Sequence, residues 1–176
     1  YLTKTLRNKF GVVISASHND FLDNGIKIFN DNGEKISRDI EKRIEKYISA
    51  DLNPVETSKI GKAYRFDESG PRYIEFCKST VPSDISFASL RIVLDCANGA
   101  CYKVSPEIFQ ELGAEVITIG INPDGYNINQ ECGSTYPELI QKEVVKHRAD
   151  YGISLDGDGD RVILVDEKGN ILDGDD

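Results

Sequence analysis

Short apolar runs alternate with amphipathic segments between residues 91 and 155, and this alternation constrains the fold more than any other feature of the sequence. The runs are rich in β-branched side chains and have the length of strands, whereas the segments between them repeat apolar residues at helical spacing. Alternating strands and helices predict a mostly parallel sheet covered by helices, with a hairpin at 161–172 as an antiparallel edge. The predicted strands are 91–96, 115–119 and 151–155, and the predicted helices lie around 108–112 and 137–147.

The first 82 residues predict a less complete arrangement of the same kind. Residues 1–6 have the pattern of the end of a helix, so we expect the sequence to begin inside a longer protein. Residues 10–15 form a short apolar run that predicts a buried strand, and 26–29 predict a second strand after a turn at Asn24-Gly25.

Two further helices and a linker are predicted in this first part. Isoleucine recurs at every fourth position from 36 to 48, and Ser37 is placed to cap the helix that this stripe predicts. A linker is indicated at 82–84. We therefore expect two three-layer α/β/α domains with mixed, mostly parallel sheets: an incomplete one at 1–82 and a second at 83–176. The second of the two helices is indicated by an apolar face that consists of Tyr73, Phe76, Cys77 and Thr80.

The charge and the cysteine content disfavour several classes of function. Thirty acidic and 21 basic side chains give a formal net charge of −9, so long-range repulsion opposes general binding to nucleic acid or to anionic membranes. No apolar run reaches the roughly 18 residues that a membrane span needs. The four cysteines form no CxxC pair and no cluster with histidine, which disfavours a zinc site and favours reduced thiols in the cytoplasm.

Three carboxylates alternate with glycine at residues 156–160, a segment that we call the acidic loop. Glycine lets the backbone fold tightly enough for Asp156, Asp158 and Asp160 to converge on one hard cation. An acidic surface turn is one alternative. A calcium EF-hand is another, but its sixth position requires glycine where this sequence has Arg161, and a strand pattern follows where a helix is needed. The adjacent cation favours magnesium that shares a phosphate group with Arg161.

Two serines and a histidine lie together at residues 15–20, a segment that we call the serine loop. Ser15, Ser17 and His18 suggest a nucleophile, although the G-x-S-x-G pattern of hydrolases is missing and nothing local would orient His18 as a base. A structural turn closed by serine side chains is the alternative. Both loops follow predicted strands, whose ends bind ligands in open α/β sheets. Lys27 alternates with apolar residues on a predicted strand, where an outward, solvated lysine is the ordinary interpretation.

Together the two loops resemble those of the α-D-phosphohexomutase superfamily. Its phosphoserine loop has the pattern Ser/Thr-Ala-Ser-His-Asn and its metal loop Asp-Gly-Asp-Gly-Asp-Arg, and this sequence contains both in that order. The resemblance is closest to the branch that acts on glucosamine phosphates, through Ser15 and residues 95–100. Asp20 departs from the family, which commonly has proline there; the change affects the rigidity of the loop but removes no reacting group. Other matching segments are 23–27, 72–77, 127–129 and 131–133.

The resemblance implies a phosphoryl-transfer enzyme. Ser17 would carry a phosphoryl group and pass it to glucosamine 6-phosphate. The bisphosphorylated sugar would then reorient and return its 6-phosphate to Ser17, which leaves glucosamine 1-phosphate. Mg²⁺ would be held by the three aspartates and an oxygen of phosphorylated Ser17. His18 and Lys27 would move protons, with a purely structural His18 as an open alternative, and Arg161 would contact phosphate. The product would feed the synthesis of UDP-N-acetylglucosamine and the cell wall.

The same resemblance implies that the sequence is incomplete. Family members have four domains, and this chain matches the latter part of the first and most of the second. The segments that select the sugar and bind its far phosphate would lie outside it. We therefore expect the isolated chain to be inactive and the full-length protein to be a cytoplasmic enzyme, with a homodimer as a further expectation. Two alternatives stay open: a member acting on mannose and glucose phosphates, and a noncatalytic metal-binding module.

Overall fold

The chain forms two compact units, and the serine loop belongs to the same unit as the acidic loop. The computed structural model describes residues 1–51 and 54–172. The predicted domain boundary after residue 82 stays a prediction. The first unit consists of Tyr1–Val13 and Lys27–Ser69, and the second consists of Ile14–Ile26 and Gly70–Asp176.

The first unit contains a two-stranded sheet and two helices at the predicted positions. Strand β1 (Phe10–Ile14) pairs with β2 (Ile26–Asn30), α1 (Leu2–Thr5) precedes them, and α2 (Arg38–Ile48) follows. Ser37 occupies the N-cap of α2, but its hydroxyl makes no capping hydrogen bond.

The prediction that β1 is buried is wrong. Four of its five residues are exposed, and Phe10 retains 65% of its accessible surface. An apolar run predicts a strand from local composition, but burial needs other elements on both faces of the sheet. In the described part of the chain, β1 has a single neighbouring strand, and half of the residues of this small sheet are exposed.

The second unit is built on a five-stranded mixed sheet with the order β4-β3-β5-β6-β7. The first three strands in this order are parallel, and the β6–β7 hairpin adds an antiparallel edge, as predicted. In the parallel register Asp95 pairs with Ile119 and Ser154, so the carboxyl ends of three strands meet at one edge of the sheet. The strands are β3 (Arg91–Asp95), β4 (Glu115–Ile119), β5 (Tyr151–Leu155), β6 (Val162–Val165) and β7 (Ile171–Leu172).

Helices cover this sheet and close its core. Helix α5 (Pro137–His147) packs on β3, β5 and β6, where Ile140 and Val144 are fully buried with Val93. Because side chains alternate along a strand, Ile92 and Leu94 point to the opposite face, and they too are buried. Helix α4 (Val104–Glu111) packs on β4. Within the described ranges, no helix is both long and apolar enough to cross a membrane.

Helix α3 (Ser69–Ser79) is present as predicted, but it buries a different face. The predicted stripe included Tyr73 and Phe76, which are 38% and 42% exposed, whereas Ile74 is buried. Lys78, four residues after Ile74 and therefore on the same face, forms an ion pair with Glu111 of α4. Which of the two faces is buried depends on the element that packs against the helix, and the local sequence does not specify that element.

Replacing Ile140 by alanine is expected to lower the free energy of unfolding by about 2–5 kcal/mol, since a fully buried isoleucine leaves a cavity in a packed core. Ile85→Ala is the matched control, because Ile85 is 51% exposed and its truncation leaves no cavity. Chemical denaturation of both variants measures the difference. Equal losses of stability would show that the core does not depend on α5 as described.

Candidate functional site

The serine loop and the acidic loop meet in the second unit. The hydroxyl of Ser17 donates a hydrogen bond of 3.1 Å to Oδ2 of Asp156, and the hydroxyl of Ser15 donates one of 3.0 Å to Oδ2 of Asp158. The partners are separated by 139 and 143 positions in the sequence. The convergence that was expected at the strand ends is therefore present, while the chemical roles of these residues stay predictions.

The acidic loop is folded tightly around the side chain of Asp156. This carboxylate is fully buried, and its Oδ1 accepts the backbone N–H groups of Asp160 and Arg161 at 3.1 Å each. The N–H of Gly159 donates to the carbonyl of Asp156 at 3.0 Å, and Gly159 has a φ of +73°, which favours glycine. Oδ1 thus shapes the loop, and Oδ2 is left to face Ser17.

The three aspartates form a cluster that fits a hard divalent cation. One carboxylate oxygen from each of Asp156, Asp158 and Asp160 lies within 4.8 Å of the others. Three negative charges at this spacing repel one another, and an all-oxygen donor set is what Mg²⁺ or Ca²⁺ takes in proteins. The EF-hand alternative is wrong for this loop, because the strand β6 begins at Val162, where the EF-hand needs the end of its loop and a helix.

The backbone of Ser17 has an unusual conformation that aims its side chain. Its φ of +55° lies in the left-handed region, which residues other than glycine rarely adopt. The N–H of Ser17 donates to the hydroxyl oxygen of Ser15 at 3.0 Å. Ser15 thus forms the structural turn that was considered for this loop, whereas the hydroxyl of Ser17 points at the acidic loop.

The other predicted site residues are His18, Arg161 and Lys27, which differ in burial and in position. His18 is half-buried, and its Nδ1 is buried with no hydrogen-bond partner among the described residues. Arg161 is exposed and directly follows Asp160 of the acidic loop. Lys27 is half-buried on β2 and belongs to the first unit. Proton transfer by His18 and Lys27 and phosphate binding by Arg161 stay predictions.

Asp95 organises the strand ends, a role that the sequence did not indicate beyond the place of this residue in the matching segment 95–100. It is fully buried at the end of β3, where Oδ1 accepts the N–H of Ala97 at 2.9 Å and Oδ2 accepts that of Gly133 at 2.7 Å. Burial raises the pKa of the Asp95 carboxyl, and the two hydrogen bonds oppose this rise. A carboxylate at the end of an apolar strand was the signal that could have identified it.

Asn129 is a second residue without an assigned role in the sequence analysis, beyond its place in a matching segment. It lies in the β4–α5 loop (residues 120–136), and its side-chain amide contacts the serine loop. A single asparagine in a long polar loop has no local signature of such a contact. Only the fold shows it.

The four cysteines are free thiols, and burial raises the pKa of three of them. Burial raises the pKa of Cys96 to about 12 and that of Cys132 to about 11. Burial also raises the pKa of Cys101, with a further contribution from the negative charges of Asp156 and Asp158. Raised pKa values keep these three thiols protonated at neutral pH.

Comparisons with known proteins find two family models and several relatives that match this sequence. The family model described as phosphoglucomutase/phosphomannomutase, alpha/beta/alpha domain II, matches residues 71–169, and the model of domain I matches residues 1–54. The phosphoglucosamine mutase of Legionella pneumophila (strain Lens) is 58% identical over 175 residues, 99% of this chain and 38% of that protein. That of Hahella chejuensis is 56% identical over 175 residues, 99% of this chain and 39% of that protein. The chain therefore spans less than two fifths of the length of these relatives.

A solved structure shares the fold. The Aspergillus fumigatus N-acetylphosphoglucosamine mutase, in complex with GlcNAc-6P and magnesium, matches with a TM-score of 0.64 at 22% identity. The match covers 98% of this chain and 47% of that one.

Proposed function

The chain belongs to the phosphoglucomutase/phosphomannomutase family, and from this premise we propose that the full-length protein interconverts glucosamine 6-phosphate and glucosamine 1-phosphate. The observation that carries the proposal is the hydroxyl of Ser17, held 3.1 Å from a carboxylate of the three-aspartate cluster. A nucleophile beside a hard-cation site suits phosphoryl transfer. The choice of sugar is supported by the relatives at 56% and 58% identity that bear the name phosphoglucosamine mutase.

Ser17 would act as the carrier of the phosphoryl group. In the first transfer the bond between its Oγ and phosphorus breaks and a bond from phosphorus to O1 of the sugar forms. A base takes the proton of the O1 hydroxyl, and an acid gives a proton to Oγ of Ser17. The bisphosphorylated sugar then reorients, and Oγ of Ser17 loses its proton and attacks the 6-phosphate. The bond between phosphorus and O6 breaks, O6 takes up a proton, and the phosphorylated starting enzyme is restored. His18 and Lys27 are the proposed groups for these proton movements.

Asp156, Asp158 and Asp160, with an oxygen of phosphorylated Ser17, would hold Mg²⁺. When bound, the ion would neutralise charge on the transferring phosphoryl group. The two backbone N–H groups on Asp156 keep its carboxylate from turning away, so the ligand set needs little reorganisation. Arg161 places a positive charge next to the three aspartates, where it would bind a phosphate group of the substrate.

The surroundings of the site are compatible with a cytoplasmic enzyme of carbohydrate metabolism. Free thiols persist in a reducing compartment such as the cytoplasm. A homodimer of the full-length protein remains a prediction of the family resemblance. The alternative is an enzyme that prefers mannose or glucose phosphates. Comparing kcat/KM for the 6-phosphates of glucosamine, mannose and glucose distinguishes the two.

Titration of the full-length protein with Mg²⁺ tests the metal site and separates a mutase from a simple metal-binding module. We expect Mg²⁺ to bind roughly tenfold more tightly when Ser17 is phosphorylated, because phosphorylation adds an anionic oxygen ligand. Asp158→Asn should weaken binding in both states. Calorimetry on the phosphorylated and the phosphatase-treated protein, with Ca²⁺ in parallel, measures these affinities.

Two results of that titration would contradict the proposal. Tight Ca²⁺ binding that is independent of the state of Ser17 would indicate a noncatalytic calcium module. Absence of saturable binding of either ion would indicate an acidic turn without a metal.

A further inference from the structure

We propose that Asn129 is a positioning residue, whose side-chain amide clamps the serine loop onto the acidic loop and so holds Ser17 in line with the carboxylates. This inference rests on the proposed function. It goes beyond it by assigning a role to a residue outside both motifs.

The side chain of Asn129 binds the serine loop at two points. Its Nδ2 donates to the backbone carbonyl of Ser17 at 3.1 Å and to that of Asn19 at 2.9 Å. A primary amide has two N–H groups, so one nitrogen can satisfy both carbonyls at once. The two carbonyls lie on either side of His18 in the sequence. The clamp therefore fixes the backbone that carries both the proposed nucleophile and its neighbour.

Asn129 is itself anchored to the end of the sheet. Its backbone N–H donates to the carbonyl of Ala97 at 2.9 Å, and the N–H of Ala97 donates to the buried carboxylate of Asp95. Its φ of +57° is in the left-handed region, which asparagine tolerates better than most residues. A continuous series of hydrogen bonds thus runs from Asp95 on β3 through Ala97 and Asn129 to Ser17.

The acidic loop lies directly against this clamp. A Cβ atom added to Gly157 would stand 2.5 Å from the carbonyl oxygen of Ser17 and 2.7 Å from Nδ2 of Asn129. Atoms cannot approach so closely without displacement, so only glycine leaves room for the amide and the carbonyl to meet there. The serine loop, the acidic loop and the β4–α5 loop are therefore in contact at the hydrogen bond between Asn129 and Ser17.

The clamp controls orientation and leaves the reacting group available. Ser17 holds an uncommon backbone conformation, with its N–H fixed by Ser15 and its carbonyl fixed by Asn129. Its hydroxyl takes no part in these two contacts and points to Asp156. Loss of the clamp should let the backbone relax and the hydroxyl turn away. Small misplacements of a reacting atom lower rates by as much as about 10²-fold.

Two variants of Asn129 in the full-length protein test the clamp. Asn129→Asp keeps the size of the side chain but replaces the N–H donors by an oxygen that repels both carbonyls. Asn129→Gly removes the amide without adding charge and keeps the left-handed backbone. We expect kcat to fall roughly 10- to 100-fold in both, with KM changed less than about twofold, because positioning acts on the transfer step.

Asn127→Asp is the matched control, because it removes an amide donor from the same loop, and the hydrogen bonds of that amide do not go to the serine loop. The side chain of Asn127 binds within its own loop: Nδ2 donates to the carbonyl of Asn122 at 3.0 Å, and Oδ1 accepts the N–H of Asp124 at 3.1 Å. Its kcat should stay within about twofold of the wild type.

Single-turnover phosphorylation separates positioning from folding. The phosphatase-treated full-length proteins receive a hexose 1,6-bisphosphate, and the mass added to Ser17 is followed with time, alongside the thermal midpoint of each variant. Slow phosphorylation of both Asn129 variants with midpoints close to that of Asn127→Asp supports the clamp. Phosphorylation at the wild-type rate, or a rate that falls only with the folded fraction, would overturn it. If the wild type itself takes up no phosphoryl group, the proposed function fails, and that outcome is distinct from failure of the clamp alone.

Discussion

Ser17→Ala in the full-length protein is expected to lower kcat by roughly 10³-fold or more, because the proposed carrier of the phosphoryl group is lost. The fold should persist. The variant loses one half-buried hydrogen bond to Asp156, which contributes about 1 kcal/mol to stability. Turnover of glucosamine 6-phosphate, together with the thermal midpoint, measures both effects.

Ser83→Ala is the control for this substitution, since Ser83 is exposed in a loop and lies outside the site. Its turnover should match that of the wild type. Mutase activity retained by Ser17→Ala would rule out the phosphoserine role, and the serine loop would then be a structural turn only.

Asp156→Asn is expected to lower kcat by roughly 10²- to 10³-fold and to weaken Mg²⁺ binding, because one of the proposed charged ligands becomes neutral. Asparagine keeps an oxygen that can accept the N–H groups of Asp160 and Arg161, so the turn itself should form. The dependence of the rate on Mg²⁺ concentration distinguishes lost affinity from lost transfer.

Asp166→Asn provides a matched control in another turn of the same unit. Oδ1 of Asp166 also accepts two backbone N–H groups, those of Lys168 and Asn170, but it lies in the β6–β7 hairpin away from the serine loop. The two substitutions thus make the same chemical change in similar turns. Equal effects of both on turnover would mean that Asp156 acts through the fold and not through the metal.

Secondary structure in residues 91–172 follows directly from local sequence. β4 and β5 begin and end at the predicted residues, and α5 covers the predicted 137–147. Apolar periodicity and turn residues act within a few positions of each other, so a single sequence contains the whole signal. The order of alternating elements then predicts the parallel part of the sheet.

Burial was predicted less well, because it depends on neighbours that are distant in the sequence. The apolar run of β1 forms its strand yet leaves Phe10 exposed, and α3 buries Ile74 where the stripe predicted Tyr73 and Phe76. An apolar side chain favours burial, but another element must be present to cover it. Local composition contains no information about that element.

The sequence by itself determined which chemical groups are available: an acidic loop able to bind a hard cation and a serine loop able to carry a nucleophile. Only the tertiary structure decided that Ser17 meets Asp156, because contact across 139 positions depends on which strand ends lie side by side. It also decided the contacts of Asp95 and Asn129, whose hydrogen bonds go to backbone N–H and carbonyl groups. Every residue type except proline offers those same backbone groups, so no sequence pattern marks the partners, and their pairing depends on geometry alone.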